Sequence, residues 1–344
     1  MISRFACCVI LYSLFSLSAL SQKEDKGWKE AAGFLHSQTY PITEGRDLRL
    51  LGREIRKRFP DTLTRLKASY LWVINHIRYD CGGLKNKNSR RALDSVLLYR
   101  KAVCAGYVNV FRNLCEAAGV ECIDINGFGR SGLEDLLLPI DSFLTNHTWN
   151  AVKVDGQWRL IDITWASGYT NEDCSSFTPH RNDWYFCADP VRFGWDHFPQ
   201  DSSWQLLPQP ISWNEFYRYP LLYQGIWENN MNDFYPRSVL IQKKVGDTVR
   251  FHFKSGEDFN RIIFSSRKEK QLYRMETPEK TADGYRFVYT IEKQGAYDLQ
   301  VDLLQMENNR PATSHEITSF TDIVYWIEAV PAMQNLKGRK NLNK

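Results

Sequence analysis

Apolar residues recur at helical spacing in the first third of the chain. Leu63, Leu66, Tyr70, Val73, Ile74 and Ile77 follow Asp61-Thr62-Leu63-Thr64, an acidic start that predicts a capped helix. Cys81-Gly82-Gly83 and a polar stretch from Lys85 to Asn88 end it in a loop, and a short helix is expected over Arg91 to Leu98. Tyr107, Val110, Phe111 and Leu114 share one face of a helix from Ala105 to Ala118, with Gly119 as its stop. Glu121 to Ile125 then reads as a strand and Gly127 to Leu144 as a mobile or partly helical excursion. Two runs, Thr148 to Val154 and Gln157 to Ile163, flank Asp155-Gly156, the best short signal for a hairpin. Residues 165–235 are loop-rich and dense in aromatic side chains. Beyond Pro236 the period is two. Strands are expected over Ser238–Gln242, Thr248–Lys254, Arg261–Ser265, Gln271–Met275, Tyr285–Ile291, Tyr297–Leu304 and Asp322–Val330. Short strands in that number over about a hundred residues predict an immunoglobulin-like sandwich. The last residues, 336–344, form a basic tail.

The extreme N-terminus reads as an address. Arg4 supplies a positive charge, Phe5 to Leu20 is an almost unbroken apolar run, and Ala19-Leu20-Ser21 offers small residues for cleavage before Gln22. Residues 1–21 are therefore expected to be a signal peptide, which places the mature chain in a secreted, periplasmic or cell-surface setting where thiols oxidise. Cys81, Cys104, Cys115, Cys122, Cys174 and Cys187 follow it, with no C-x-x-C pair, so a zinc ribbon or thioredoxin-type site is excluded. Cys115–Cys122 and Cys174–Cys187 are candidate local bridges; buried free thiols fit each of these positions equally well.

Composition adds exclusions. Of 344 residues, 43% are hydrophobic and 24% charged, the balance of a globular protein rather than a disordered one. Forty-four Lys and Arg against 40 Asp and Glu leave a formal charge of +4, which argues against a dedicated nucleic-acid or polyanion binder. No metal-ligand motif, dinucleotide fingerprint or P-loop occurs, and no cofactor is expected.

The candidate chemistry lies at three residues. Cys104 precedes the Ala105–Ala118 helix, where unpaired backbone N–H groups and the helix dipole favour a thiolate and are placed to hold an oxyanion. Gly106 is expected to leave room there for a substrate. If Asp155-Gly156 is a two-residue turn, Val154 pairs with Gln157 and Trp149 lies opposite Asp162. His147 shares a face with Trp149, so His147 and Asp162 become diagonal neighbours on one face. The carboxylate then steadies one ring nitrogen and the other accepts the cysteine proton. Trp149 and Trp165 flank this group; Asn150 points to the opposite face and is expected to make a structural hydrogen bond. Asn146-His147-Thr148 matches a glycan acceptor pattern, at a poor place for a glycan.

Ala102-Val-Cys-Ala-Gly-Tyr107, Asn146-His-Thr-Trp-Asn150 and Gln157-Trp-Arg-Leu-Ile-Asp-Ile-Thr-Trp165 resemble, in order and spacing, the three blocks of the transglutaminase-like superfamily. His197-Phe-Pro199 followed by Trp204-Gln-Leu-Leu207 is similar to the subgroup that contains kyphoscoliosis peptidase and cytokinesis-type proteins. The resemblance implies an α+β chain: a papain-like transglutaminase core over 22–235, followed by an all-β immunoglobulin-like sandwich over 236–335. It also implies a Cys–His–Asp triad at Cys104, His147 and Asp162 and a protein or peptide substrate. The expected activity is cysteine acyl transfer, as a peptidase or amidase; protein crosslinking and a non-catalytic cell-surface scaffold are the alternatives. A cell-envelope or cell-surface partner would engage the sandwich, and nucleic acid would not be a partner.

Overall fold

The computed structural model describes residues 26–331, apart from 86–89, 133–134, 136–142, 144, 172, 224, 229–230, 256, 267–268, 305, 308–309 and 312–322. The expected signal peptide and basic tail, and most of the excursion after Gly127, lie outside the described residues. Among the described residues no helix is long and apolar enough to cross a membrane. The chain is α+β, and its residues gather into two units. The first comprises 1–129, 144–193 and 199–210; the second comprises 130–143, 194–198 and 211–344.

In the first unit, helix α1 (26–36) precedes α2 (Gly45–Arg58) and α3 (Thr62–His76). Asp61 caps α3 by accepting the Thr64 N–H at 2.8 Å, as its place ahead of the apolar repeat predicts. Strand β1 (Arg78–Tyr79), helices α4 (Cys81–Lys85) and α5 (Leu93–Tyr99), and strand β2 (Lys101–Ala102) lead into α6 (Cys104–Ala117). Strands β3 (Cys122–Gly129), β4 (His147–Val154) and β5 (Gln157–Ile161) pair antiparallel, β3 with β4 and β4 with β5. The turn between β4 and β5 has Asp155 at φ 49° and Gly156 at φ 78°, both left-handed, and it sets Val154 opposite Gln157. A second hairpin, β6 (Gly168–Thr170) and β7 (Phe177–Pro179), follows.

The core of this unit forms where the apolar faces of these helices meet the sheet. Leu48 and Ile55 of α2, Leu66 and Tyr70 of α3, Phe111 of α6 and Trp149 of β4 are all buried in one cluster. Side chains of this size contribute about 1.5–3 kcal/mol each on full burial, enough to fix which way every helix faces. Gly52 lets α2 lie directly on α6, because a Cβ there would come within 2.4 Å of the Ala117 Cβ. At the far end of α6, Gly119 takes φ +74° and ends the helix.

The cysteine pairing differs from both expected bridges. Cys81 is disulfide-bonded to Cys174, while Cys115 and Cys122 are free thiols. Cys174 sits with φ 46° in the β6–β7 turn, which brings it to α4 and not to its sequence neighbour Cys187. Cys115 and Cys122 do meet, as hydrogen-bonded buried thiols rather than as a bridge.

Strand β8 (His197–Pro199) ends in the first unit at Pro199, and in the second unit β9 (Leu221–Leu222) precedes two larger sheets. One sheet contains β10 (Met231–Tyr235), β12 (Thr248–Ser255), β16 (Gly284–Thr290) and β15 (Glu279–Thr281), in that order. The other runs β11 (Leu240–Lys244), β20 (Ile323–Val330), β17 (Gly295–Leu304), β13 (Arg261–Ser266) and β14 (Gln271–Glu276), with β9 also on β20. Two short strands, β18 (Met306–Glu307) and β19 (Arg310–Pro311), pair with each other. Period-two alternation turns Phe251 and Phe287 of one sheet toward Phe264 and Tyr325 of the other, with Phe251 and Tyr325 ring centroids 5.2 Å apart and Phe264 and Phe287 5.3 Å apart. Sheet strands begin ahead of Pro236, at Leu221 and Met231.

Candidate active site

Three elements of the first unit converge on one small polar group. Cys104 is the first helical residue of α6, with Val103 as the cap, so the helix begins one residue earlier than its apolar repeat indicates. The thiol accepts a hydrogen bond from the Ala105 backbone N–H, one of the donors that a helix start leaves without a carbonyl partner. Parallel pairing of β1 with β2 sets Tyr79 opposite Ala102 and fixes the chain just before Cys104. Tyr107, buried on α6, donates to the Ile77 carbonyl at 3.0 Å, and its phenol oxygen lies 3.2 Å from the Ser167 hydroxyl. The helix is thereby tied to the segment that follows Asp162.

His147 opens β4, and Asp162 is the residue immediately after β5. The hairpin register pairs Asn150 with Ile161, so Asp162 comes next along the ladder, on the side of Trp149 and His147. The side chains meet: Nε2 of His147 lies 2.6 Å from Oδ2 of Asp162. The other carboxylate oxygen accepts the Thr164 and Trp165 backbone N–H groups at 2.8 and 3.0 Å. Asp162 is fully buried, and these donors hold its charge in place of water.

The imidazole also meets the thiol through a hydrogen bond. Because Nε2 faces Asp162, Nδ1 is the ring nitrogen on the cysteine side. Burial disfavours the charged ring, but the Asp162 charge and hydrogen bond, followed by Cys104, push the His147 pKa up to about 10. Burial raises the Cys104 thiol, yet the hydrogen bond and charge of His147 outweigh burial and the Asp162 charge, and the thiol ends below its ordinary value. The arrangement supports a thiolate–imidazolium pair steadied by a buried carboxylate.

Around this group the rings are ordered. Trp165 stacks on His147 with centroids 5.2 Å apart and planes at 27°, and Trp149 lies 6.1 Å from the same ring. Asn150 points the other way, donating to Asp124 at 2.9 Å. The Asn146 amide is engaged with the Gly129 backbone at 2.8 and 3.0 Å. Gly106 does not open space for a substrate. A Cβ there would meet the Arg90 carbonyl at 2.6 Å and the Ala102 Cβ at 2.7 Å, so this glycine lets α6 pack against the preceding segment. Tyr79 is a further neighbour, with no motif around it in the sequence. Burial, with the charges of Cys104 and Asp162, raises its phenol well above the ordinary range. Its place depends on the β1–β2 pairing, which has no local signal.

Residues 49–163, which contain all three candidate residues, match the family model of the transglutaminase-like superfamily. This segment of the chain is similar to that superfamily. The chain is 35% identical over 184 residues to "Kyphoscoliosis peptidase" of Homo sapiens, a match covering 52% of this chain and 26% of that protein. It is 30% identical over 203 residues to "Lim and transglutaminase domain protein ltd-1" of Caenorhabditis elegans, covering 55% and 26% respectively. "Hillarin" of Drosophila melanogaster is 33% identical over 129 residues, covering 34% of this chain and 15% of its own length. The chain thus spans about a quarter or less of the length of these curated relatives.

Proposed function

We propose that this protein is an exported cysteine acyl-transfer enzyme working as a peptidase or amidase, with Cys104 as nucleophile, His147 as acid and base, and Asp162 as its orienting partner. The observation that carries this reading is the placement of His147 between the Asp162 carboxylate and the Cys104 thiol at the start of α6. The Cys104 thiolate attacks an amide carbonyl, and negative charge grows on the former carbonyl oxygen beside the N–H groups of the helix start. The His147 imidazolium gives its proton to the departing amine, leaving a thioester on Cys104 and a neutral ring. A water then gives a proton to His147 while its oxygen attacks the thioester, releasing the acid and restoring the pair. The name of the human relative, a peptidase, favours water as acceptor over an amine.

The second unit is read as an immunoglobulin-like sandwich. Its orders β10-β12-β16-β15 and β20-β17-β13 correspond to the A-B-E-D and G-F-C arrangement of that fold. The Cys81–Cys174 disulfide supports an oxidising compartment, in keeping with a signal peptide at 1–21.

Quenching the protein in acid during turnover of a panel of peptide esters, then weighing its peptides, tests the reading. An acyl adduct on Cys104 that is absent from Cys104→Ser is expected, with acid as product even when a primary amine is added. An amide product with that amine would assign crosslinking instead. No adduct, with Cys104 labelled by iodoacetamide no faster than Cys187, would overturn catalysis.

A further inference from the structure

The near-neutral net charge conceals a local excess. Helix α2 carries Arg46, Arg49, Arg53, Arg56 and Lys57, all exposed. At 3.6 residues per turn these five fall within an arc of about 100° and extend about 16 Å along the helix. Leu48, Leu51 and Ile55 occupy the opposite side and are fully buried, and Gly52 presses against Ala117, so the cationic face cannot turn inward. The acids of the helix do not neutralise it. Asp47 accepts backbone N–H groups of Thr43 and Glu44, and Glu54 accepts the Tyr40 hydroxyl at 2.9 Å. Arg46 pairs with Glu44 at 2.8 Å; among the described residues no carboxylate pairs with Arg49, Arg53, Arg56 or Lys57. Acids elsewhere in the chain cancel these charges in the sum, although a ligand at α2 would meet only the local field.

We propose that this face of α2 binds a linear sulfated polysaccharide. A straight row of cations, on average one per about 3 Å of helix, suits an extended polyanion that runs along it. Four of the five are guanidinium groups, whose planar donor forks match sulfate and carboxylate oxygens. The apolar side of the helix is spent on the core, leaving Leu50, at 41% exposed, as its outward apolar side chain and no wedge for a bilayer. A disulfide-bonded fold belongs where sulfated polysaccharide, rather than nucleic acid, is the polyanion at hand.

Heparin binding by the full chain tests this. Wild type is expected to be retained at 0.15 M salt, with log affinity falling linearly in log salt by about 0.7–0.9 per cation engaged. The variant Arg49→Glu/Arg53→Glu/Lys57→Glu is expected to lose at least about tenfold in affinity and to show a shallower salt slope. Its thermal melt and the labelling rate of Cys104 should stay unchanged, which separates this proposal from the acyl-transfer reading. The same three positions changed to Gln provide the decision if charge reversal disturbs folding, and a smaller loss in the same direction is expected. Arg250→Glu/Lys254→Glu, on the second unit, should leave binding intact. Unaltered binding in both α2 variants, an equal loss in the second-unit variant, or displacement of heparin by duplex DNA or phosphatidylserine vesicles but not by chondroitin sulfate would overturn the proposal.

Discussion

Replacing Asp162 with Asn isolates the role of one buried charge. The amide keeps the shape and the oxygen that accepts the Thr164 and Trp165 N–H groups, but it sets an NH2 group against His147 Nε2 and removes the negative charge. Burial opposes the imidazolium, and Asp162 is its main counterweight, holding the ring at about 10. Against an ordinary 6.5, at 1.36 kcal/mol per pH unit, that is roughly 5 kcal/mol in favour of the protonated ring. Asp162 acts on Cys104 in two opposed ways: its own charge repels a thiolate, while the imidazolium it maintains attracts one. The attraction is the larger, so removing Asp162 raises the thiol. In the wild type the ion pair lasts from the depressed thiol pKa up to about 10. In the variant a thiol at or above the ordinary 8.5 is only about 1% ionised at pH 6.5. A less basic thiolate is also a weaker nucleophile, which returns part of the difference. Iodoacetamide labelling of Cys104, followed by peptide mass spectrometry, is therefore expected to slow severalfold at pH 6.5. The two rates should converge above pH 9, where both thiols ionise. Superimposable pH profiles for the two proteins would refute the argument.

Two further outcomes are expected. The double variant Cys81→Ser/Cys174→Ser opens a loop of sequence separation 93 and should cost about 2–4 kcal/mol in denaturant unfolding of the first unit; an unchanged midpoint would count against the bridge. Trp165→Ala removes the indole stacked on His147 and, at about 1 kcal/mol for such a contact, should lower kcat about fivefold with KM little altered and with Trp165→Phe restoring most of it; a KM effect alone would assign Trp165 to substrate binding.

Much of this site was legible because its determinants are short-range. Asp155-Gly156 demands a two-residue turn, the turn sets Val154 against Gln157, and the period of two then puts His147 and Asp162 on one face. The helix that begins at Cys104 announces itself through Tyr107, Phe111 and Leu114. The seven strands expected after Pro236 follow from alternation, to within a few residues at their ends, whereas the short β15, β18 and β19 carry no such signal. Gly106 differs from expectation for a related reason: the sequence shows a missing side chain but not which neighbour uses the space.

The sequence by itself therefore determined what propagates along a backbone: period, turn type, cap and side-chain parity. Only the tertiary structure decided which distant segments touch. Pairing of β1 with β2 brought Tyr79 beside Cys104, the β6–β7 turn carried Cys174 to Cys81, and burial of one side of α2 left its arginines as an exposed row. Such contacts arise from the balance of burial over the whole unit against chain entropy, a balance that no local stretch of residues encodes.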